Sequence, residues 1–182
     1  GIGAEELGWQ IVRPKVELGW GIAATAAGLG VAWLGGRLGS LAGLSESPLL
    51  RALLPGNSAE RRAFLVLAGI GAVCEEYAYR GFALHVLMDW MGQPWGPAAL
   101  TSISFGLAHG YQRTNGILRS AALGLVLAAP VIVSGSLFPS ILAHFWINAA
   151  MSSRASRWFL ADAAEPPPPA DHDPGSGSEE DG

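Results

Sequence analysis

The stretch from Ser120 to Phe138 holds no charged side chain, and Leu18–Leu38 holds only Arg37, close to its end. Runs like these constrain the chain more than any other feature, because a helix needs about 20 apolar residues to cross a bilayer. Three more apolar segments accompany them. Ala63–Cys74 and Gly81–Met88 read as one long segment interrupted by Glu75, Glu76 and Arg80. Pro97–His109 and Ser140–Met151 are shorter, the second running on toward Leu160. Together they predict an all-α fold, a polytopic transmembrane helical bundle over residues 1–160 with its motif core at 62–151. Composition agrees. Charged residues make up 14% of the 182, half are hydrophobic, and mean hydropathy is +0.32, against about 25% charged in average soluble domains. That argues against an ordinary soluble domain, a disordered protein or a nucleic-acid binder. The single cysteine, Cys74, excludes an intrachain disulfide framework and a cysteine-based zinc site.

The net charge of −4 hides a segregation. Residues 161–182 hold seven acids, Asp162, Glu165, Asp171, Asp173, Glu179, Glu180 and Asp181, with no Lys or Arg. Pro166–Pro169 and a Gly/Ser stretch lie there too, and its apolar residues are alanines, so we read it as a disordered acidic tail. The remaining chain carries eleven bases, ten of them Arg, and eight acids. Basic connections (Leu44–Arg62, Tyr111–Arg119, and the stretch after Met151) alternate with uncharged ones (Gln93–Gly96, Gly135–Pro139), as the positive-inside rule requires. The Arg-bearing connections and the tail are therefore expected in the cytoplasm. The Arg-over-Lys bias points to a bacterial plasma membrane. Arg13 and Lys15 fall on the opposite side, so a further span upstream of Gly1 is expected. No cleavable signal peptide is visible. Trp9, Trp20, Trp90, Trp95 and Trp158 lie near predicted span ends, as interfacial tryptophans do. Dense Gly and Ala in the spans predict close helix packing in lipid.

The informative segment is Ala72-Val-Cys-Glu-Glu-Tyr-Ala-Tyr-Arg-Gly-Phe82. A charge at the centre of a span costs about 2.5–3.5 kcal/mol on insertion scales. Glu76 and Arg80, four apart, can offset that by pairing on one helix face. Glu75 lies roughly 100° round the helix and must face a cavity, water or another polar group. His109 closes Phe105-Gly-Leu-Ala-His, and His144 precedes Asn148 by four residues, so His144 and Asn148 project together. Any one of these residues alone reads most simply as a packed core residue. Ionisable groups on three apolar helices read as a functional cavity. Their chemistry supports hydrolysis by an activated water. Glu75 and His109 would share the water and its proton, and His144 and Asn148 would donate to the oxyanion. Arg80 would hold Glu76, and Glu76 would orient its neighbours. Neither Gly-x-Ser-x-Gly nor His-Glu-x-x-His occurs, and Cys74 reads as buried, inert packing.

At these residues the chain resembles the CPBP family of intramembrane endopeptidases, which includes type II CAAX prenyl proteases and bacteriocin-processing and immunity homologues. The family pattern Glu-Glu-x-x-x-Arg, Phe-x-x-x-His, His-x-x-x-Asn reads here as Glu75-Glu76-Tyr-Ala-Tyr-Arg80, Phe105-Gly-Leu-Ala-His109 and His144-Phe-Trp-Ile-Asn148. The resemblance implies Glu75 as the water-activating base with His109, Glu76 and Arg80 as supports, and His144 and Asn148 as the oxyanion site, with Phe105 beside them. It implies a peptide or protein substrate, lipid-modified in the CAAX case, cut without a cofactor. The N-terminus is shorter than the family pattern and the acidic tail is foreign to it.

Two other readings use the same residues. A metal-dependent hydrolase would bind zinc through Glu75, His109 and His144, although no short His-to-His spacing sets two ligands on one helix. A non-catalytic immunity or transport protein would use the ions as a polar permeation site. Elsewhere, His85 and Asp89 read as an interfacial pair, Gln112 and Asn115 as a polar loop, and His172 as solvated.

Overall fold

A computed structural model describes residues 3–153, in which the regular elements are helices, without strands. The acidic tail, Arg154, Arg157 and Trp158 lie outside the described residues.

Helix α1 spans Pro14–Leu41 and opens on a proline, whose fixed φ suits a first turn. Glu17 closes that start: its Oε1 accepts from Val12 N–H (2.7 Å) and Arg13 N–H (2.9 Å). Its Oε2 accepts from the Ser136 hydroxyl at 3.2 Å, tying α1 to a turn 119 residues away. The inward stripe of α1 is built from Gly21, Ala24, Gly28, Ala32, Gly36 and Gly39. The close approach is literal. A Cβ at Gly21 would meet Leu142 Cδ2 at 2.8 Å, and one at Gly39 would meet Asn115 Nδ2 at 2.6 Å.

A short helix α2 (Pro48–Ala52) follows, inside what the sequence suggests is a plain connection, with Ser47 capping it through Leu49 N–H. Helix α3 begins at Ser58. Asn57 caps it by accepting from Ala59 and Glu60 N–H, so Arg61 and Arg62 belong to the helix rather than to a loop. The chain then stays helical to Met91, as α3 (Ser58–Glu76), a widened π-helical stretch (Tyr77–Ala83) and α4 (Leu84–Met91). Helix α5 (Trp95–Ala108) and, after a 3₁₀ turn, α6 (Arg113–Ser134) lie antiparallel, with Gly106 against Ile117 and Ala121 and Gly124 against Ser102.

The charge-free run expected to reach Phe138 is broken at Gly135. Its φ of 71° lies in the left-handed region that glycine enters freely, and its N–H caps α6 through Val131 O. Phe138 therefore opens the next helix, α7 (Phe138–Met151). At 14 residues each, α5 and α7 are about 21 Å long. Two described helices, α1 and the one running from Gly110 to Ser134, are long and apolar enough to cross a membrane.

The polarity of the bundle is reversed relative to a soluble one. Val66 (65% exposed), Ile70, Leu107, Leu118 and Trp146 face outward, while Glu76 and Arg80 are fully buried. Core clusters are small: Leu84, Ala98, Ala128, Val131 and Leu137 at one end, and Ala24, Leu127, Ala143 and Ile147 further along. Of the tryptophans, Trp90 and Trp95 are exposed at the α4–α5 turn. Trp9 differs from its interfacial expectation: it packs on Tyr77 and Phe138 at 6.0 and 5.9 Å.

Candidate active site

A buried ion pair anchors the site. The sequence spacing of Glu76 and Arg80 becomes a contact of 3.0 Å between Arg80 Nη1 and Glu76 Oε1, with both side chains fully buried. Arg80 Nη2 donates to the Gly124 carbonyl of α6 at 3.0 Å. The guanidinium also lies 4.7 Å from the centre of the Phe105 ring, within cation–π range. Glu76 Oε1 is shared: His144 Nδ1–H donates to it at 2.8 Å across 68 residues. One carboxylate oxygen thus fixes an arginine from its own helix and a histidine from α7.

The bond to Glu76 settles the geometry of His144. With Nδ1 facing Glu76, Nε2 points toward Glu75, whose Oε2 is 3.8 Å away. That gap is too long for a direct hydrogen bond and suits a bridging water. The Glu75 side chain is 38% exposed, yet its Oε2 is covered and has no hydrogen-bond partner within the protein. Oε2 of Glu76 and Nε of Arg80 are likewise buried without protein partners.

His109 is held by its own helix: Nδ1–H donates to the Phe105 carbonyl at 2.8 Å, which leaves the lone pair on Nε2. Phe105, 3% exposed, is the common neighbour of the group. Its ring centre lies 4.5 Å from that of His109, 6.0 Å from that of His144 and 5.1 Å from that of Tyr79.

Glu75, His109, His144 and Asn148 line one cavity of about 380 Å³. The carboxylate and imidazole that the sequence pairs across two helices do face a shared space. Glu76 and Arg80 stand behind it. Among the described residues no three His, Cys, Asp or Glu side chains gather as a ligand set; His144 has Nδ1 on Glu76 and turns Nε2 toward Glu75.

Several sequence expectations change. Cys74, expected to be buried, is exposed on the outer face of α3. His85 does not pair with Asp89; its Nδ1–H donates to the Arg80 carbonyl at 3.0 Å. Asn115, expected in a loop, is buried in α6 and donates to Glu46 Oε1 at 3.0 Å. Gln112 ends the 3₁₀ turn Gly110–Gln112 and lines the cavity.

Sequence reasoning also misses a second buried ion pair, Arg119 Nη1 to Glu46 Oε1 at 2.7 Å. Arg119 is 6% exposed and lines the cavity, and Leu50, Leu53 and Leu54 of the α2 region form another part of its wall. No local pattern connects residues 73 apart, although an acid (Glu46) just ahead of an apolar stretch, with no base within four residues on either side, hints at a distant partner. Tyr79 is also missed; its position four residues after Glu75 is the signal that was there to read.

A family comparison fits this arrangement. The family model for type II CAAX prenyl endopeptidase, Rce1-like, matches residues 57–150, more than half of the chain and every residue of the three motifs. The chain belongs to this family. It is a family of membrane-embedded proteases. No curated protein and no solved structure matches the chain.

Proposed function

We propose that this protein is a polytopic intramembrane endopeptidase that hydrolyses peptide bonds with a water held between Glu75 and His109. The observation that carries the reading is the shared cavity, into which both side chains open while a covered Glu75 Oε2 lacks a hydrogen-bond partner. Glu75 accepts the water proton as the oxygen attacks the carbonyl carbon, and the carbonyl π pair moves onto its oxygen. His109 orients the water through Nε2, because its Nδ1–H is committed to Phe105. Asn148 offers its amide N–H to the oxyanion. His144 adds a donor at Nε2 when its ring carries both protons, since Nδ1–H already faces Glu76. Collapse of the tetrahedral intermediate expels the amine, which takes the proton from Glu75. Glu76 and Arg80 are positioning residues.

The substrate in this reading is a peptide or protein, lipid-modified or not, that reaches the cavity from the membrane. We place the protein in a bacterial plasma membrane with the Arg-bearing connections and acidic tail on the cytoplasmic side, on the strength of the charge alternation.

The test is a cleavage assay on purified protein in vesicles, with prenylated and unprenylated peptides as substrates. Glu75→Gln and His109→Ala should each lower turnover at least about 100-fold, the range expected for loss of a positioned general base, with melting temperature unchanged. Undiminished cleavage by either variant would refute the mechanism. Absence of cleavage by wild type, together with Glu75-dependent solute flux, would favour the transport reading.

A further inference from the structure

The helix from Ser58 to Met91 cannot be regular, and the reason lies in which of its residues are buried. Ala68, Ala72, Glu76, Arg80 and Leu84 are all inside, at a constant spacing of four. An α-helix has 3.6 residues per turn, so each four-residue step overshoots by about 40°. From Ala68 to Leu84 the overshoot reaches about 160°, which would carry Leu84 almost to the opposite face. The π-helical stretch Tyr77–Ala83 removes most of that drift. A widened turn absorbs roughly one extra residue, about 100° of rotation. Glu76 and Arg80 can then point inward in the same helix that buries Leu84 in the core cluster with Ala98, Ala128, Val131 and Leu137.

A widened turn has a cost in backbone hydrogen bonding, and here one side chain meets it. At the end of the stretch, Leu84 N–H bonds to Tyr79 O rather than to Arg80 O, its α-helical partner. The His85 imidazole takes that place, its Nδ1–H lying 3.0 Å from Arg80 O. The opposite wall is close. A Cβ at Gly81 would meet Leu137 Cδ1 at 3.2 Å and the Leu7 carbonyl at 3.3 Å, so the segment has little room to relax by shifting outward. The carbonyl that His85 holds belongs to the residue that anchors Glu76, and Glu76 in turn orients His144.

We infer that His85 is a positioning residue for this active site: its ring latches the π-helical stretch, which sets the Arg80–Glu76–His144 chain. The inference rests on the proposed protease reading for its effect on turnover, but the latch itself can be measured without activity. The experiment compares wild type, His85→Ala and His85→Asn in vesicles, by cleavage kinetics and by amide hydrogen exchange of residues 77–85. Asn keeps a donor near the position of Nδ1.

His85→Ala should lower kcat about tenfold, within the loss expected for a sub-ångström misplacement, with KM within about twofold. Exchange across 77–85 should rise about tenfold, as for a segment whose local opening has become easier. His85→Asn should restore both to within about threefold of wild type. An Ala variant with wild-type kcat and wild-type exchange would overturn the inference, and so would an Asn variant no better than Ala. If the Ala variant does not fold, the Asn variant decides: wild-type turnover and exchange support the latch, and lost turnover in a folded Asn variant refutes it. If wild type cleaves nothing, the protease reading fails, while exchange in the two variants still reports whether His85 holds the segment.

Discussion

Removing the charge of Arg80 should test the whole arrangement quantitatively. Arg80→Met keeps most of the side-chain volume but leaves the Glu76 carboxylate fully buried with no cation beside it, and frees the Gly124 carbonyl from a 3.0 Å bond. Breaking one side of a buried ion pair costs about 3–5 kcal/mol. Glu76→Gln should cost a similar amount, because it leaves the guanidinium unpaired and weakens the acceptor for His144. If the two losses were independent, the double variant would lose roughly 6–10 kcal/mol. It should instead lose only about 2–4 kcal/mol, since no buried charge remains uncompensated and only hydrogen bonds are missing. Thermal unfolding in detergent reads this as a double-mutant cycle, at about 2–4 °C per kcal/mol for a chain of this size. Turnover separates stability from chemistry. The double variant should stay at least about 100-fold slower than wild type although its fold is largely restored, because Glu76 no longer aims His144. Single variants that each cost under about 1 kcal/mol, or a double variant equal to their sum, would refute the reasoning.

The remaining expectations are more local. Arg119→Met should destabilise by about 3–5 kcal/mol by removing the guanidinium that faces the buried Glu46 carboxylate, and Arg119→Met with Glu46→Gln should recover most of that in the same melting assay. Gly106→Ala places a methyl 2.7 Å from the Ile117 carbonyl and 2.8 Å from Ala121 Cβ. Because one of these is backbone, α5 must move off α6, at about 1–3 kcal/mol. Turnover should fall as well, since His109 lies three residues further along. Cys74, exposed on the outer face, should react with a membrane-permeant maleimide in the folded protein, and Cys74→Ser should retain wild-type turnover; protection of the thiol until denaturation would contradict the orientation of α3.

Legibility varied with the range of the interaction. The Glu76–Arg80 contact could be read directly, since four residues on one helix fix which side chains meet. His109 and His144 could be flagged as polar groups at membrane depth, but not their orientations. Those depend on a carbonyl one turn back for His109 and on a carboxylate 68 residues away for His144. The Arg119–Glu46 pair could not be read, and Asn115 was misplaced with it, because both belong to a junction between the α1–α2 connection and α6. The buried Glu17, which ties α1 to Ser136, lies outside local pattern for the same reason.

By itself, the sequence determined the all-helical class, the apolar runs, and the identities and order of the ionisable residues, because hydropathy and i to i+4 spacing are local properties of a chain. Tertiary structure alone decided which oxygen of Glu76 serves two partners, which nitrogen of each histidine remains available, and which face of α3 turns outward. It also decided where the long helix widens. That last feature follows from packing: a four-residue stripe can stay buried over five positions only if the helix is locally unwound, and the stripe is buried because α5, α6 and α7 pack on it.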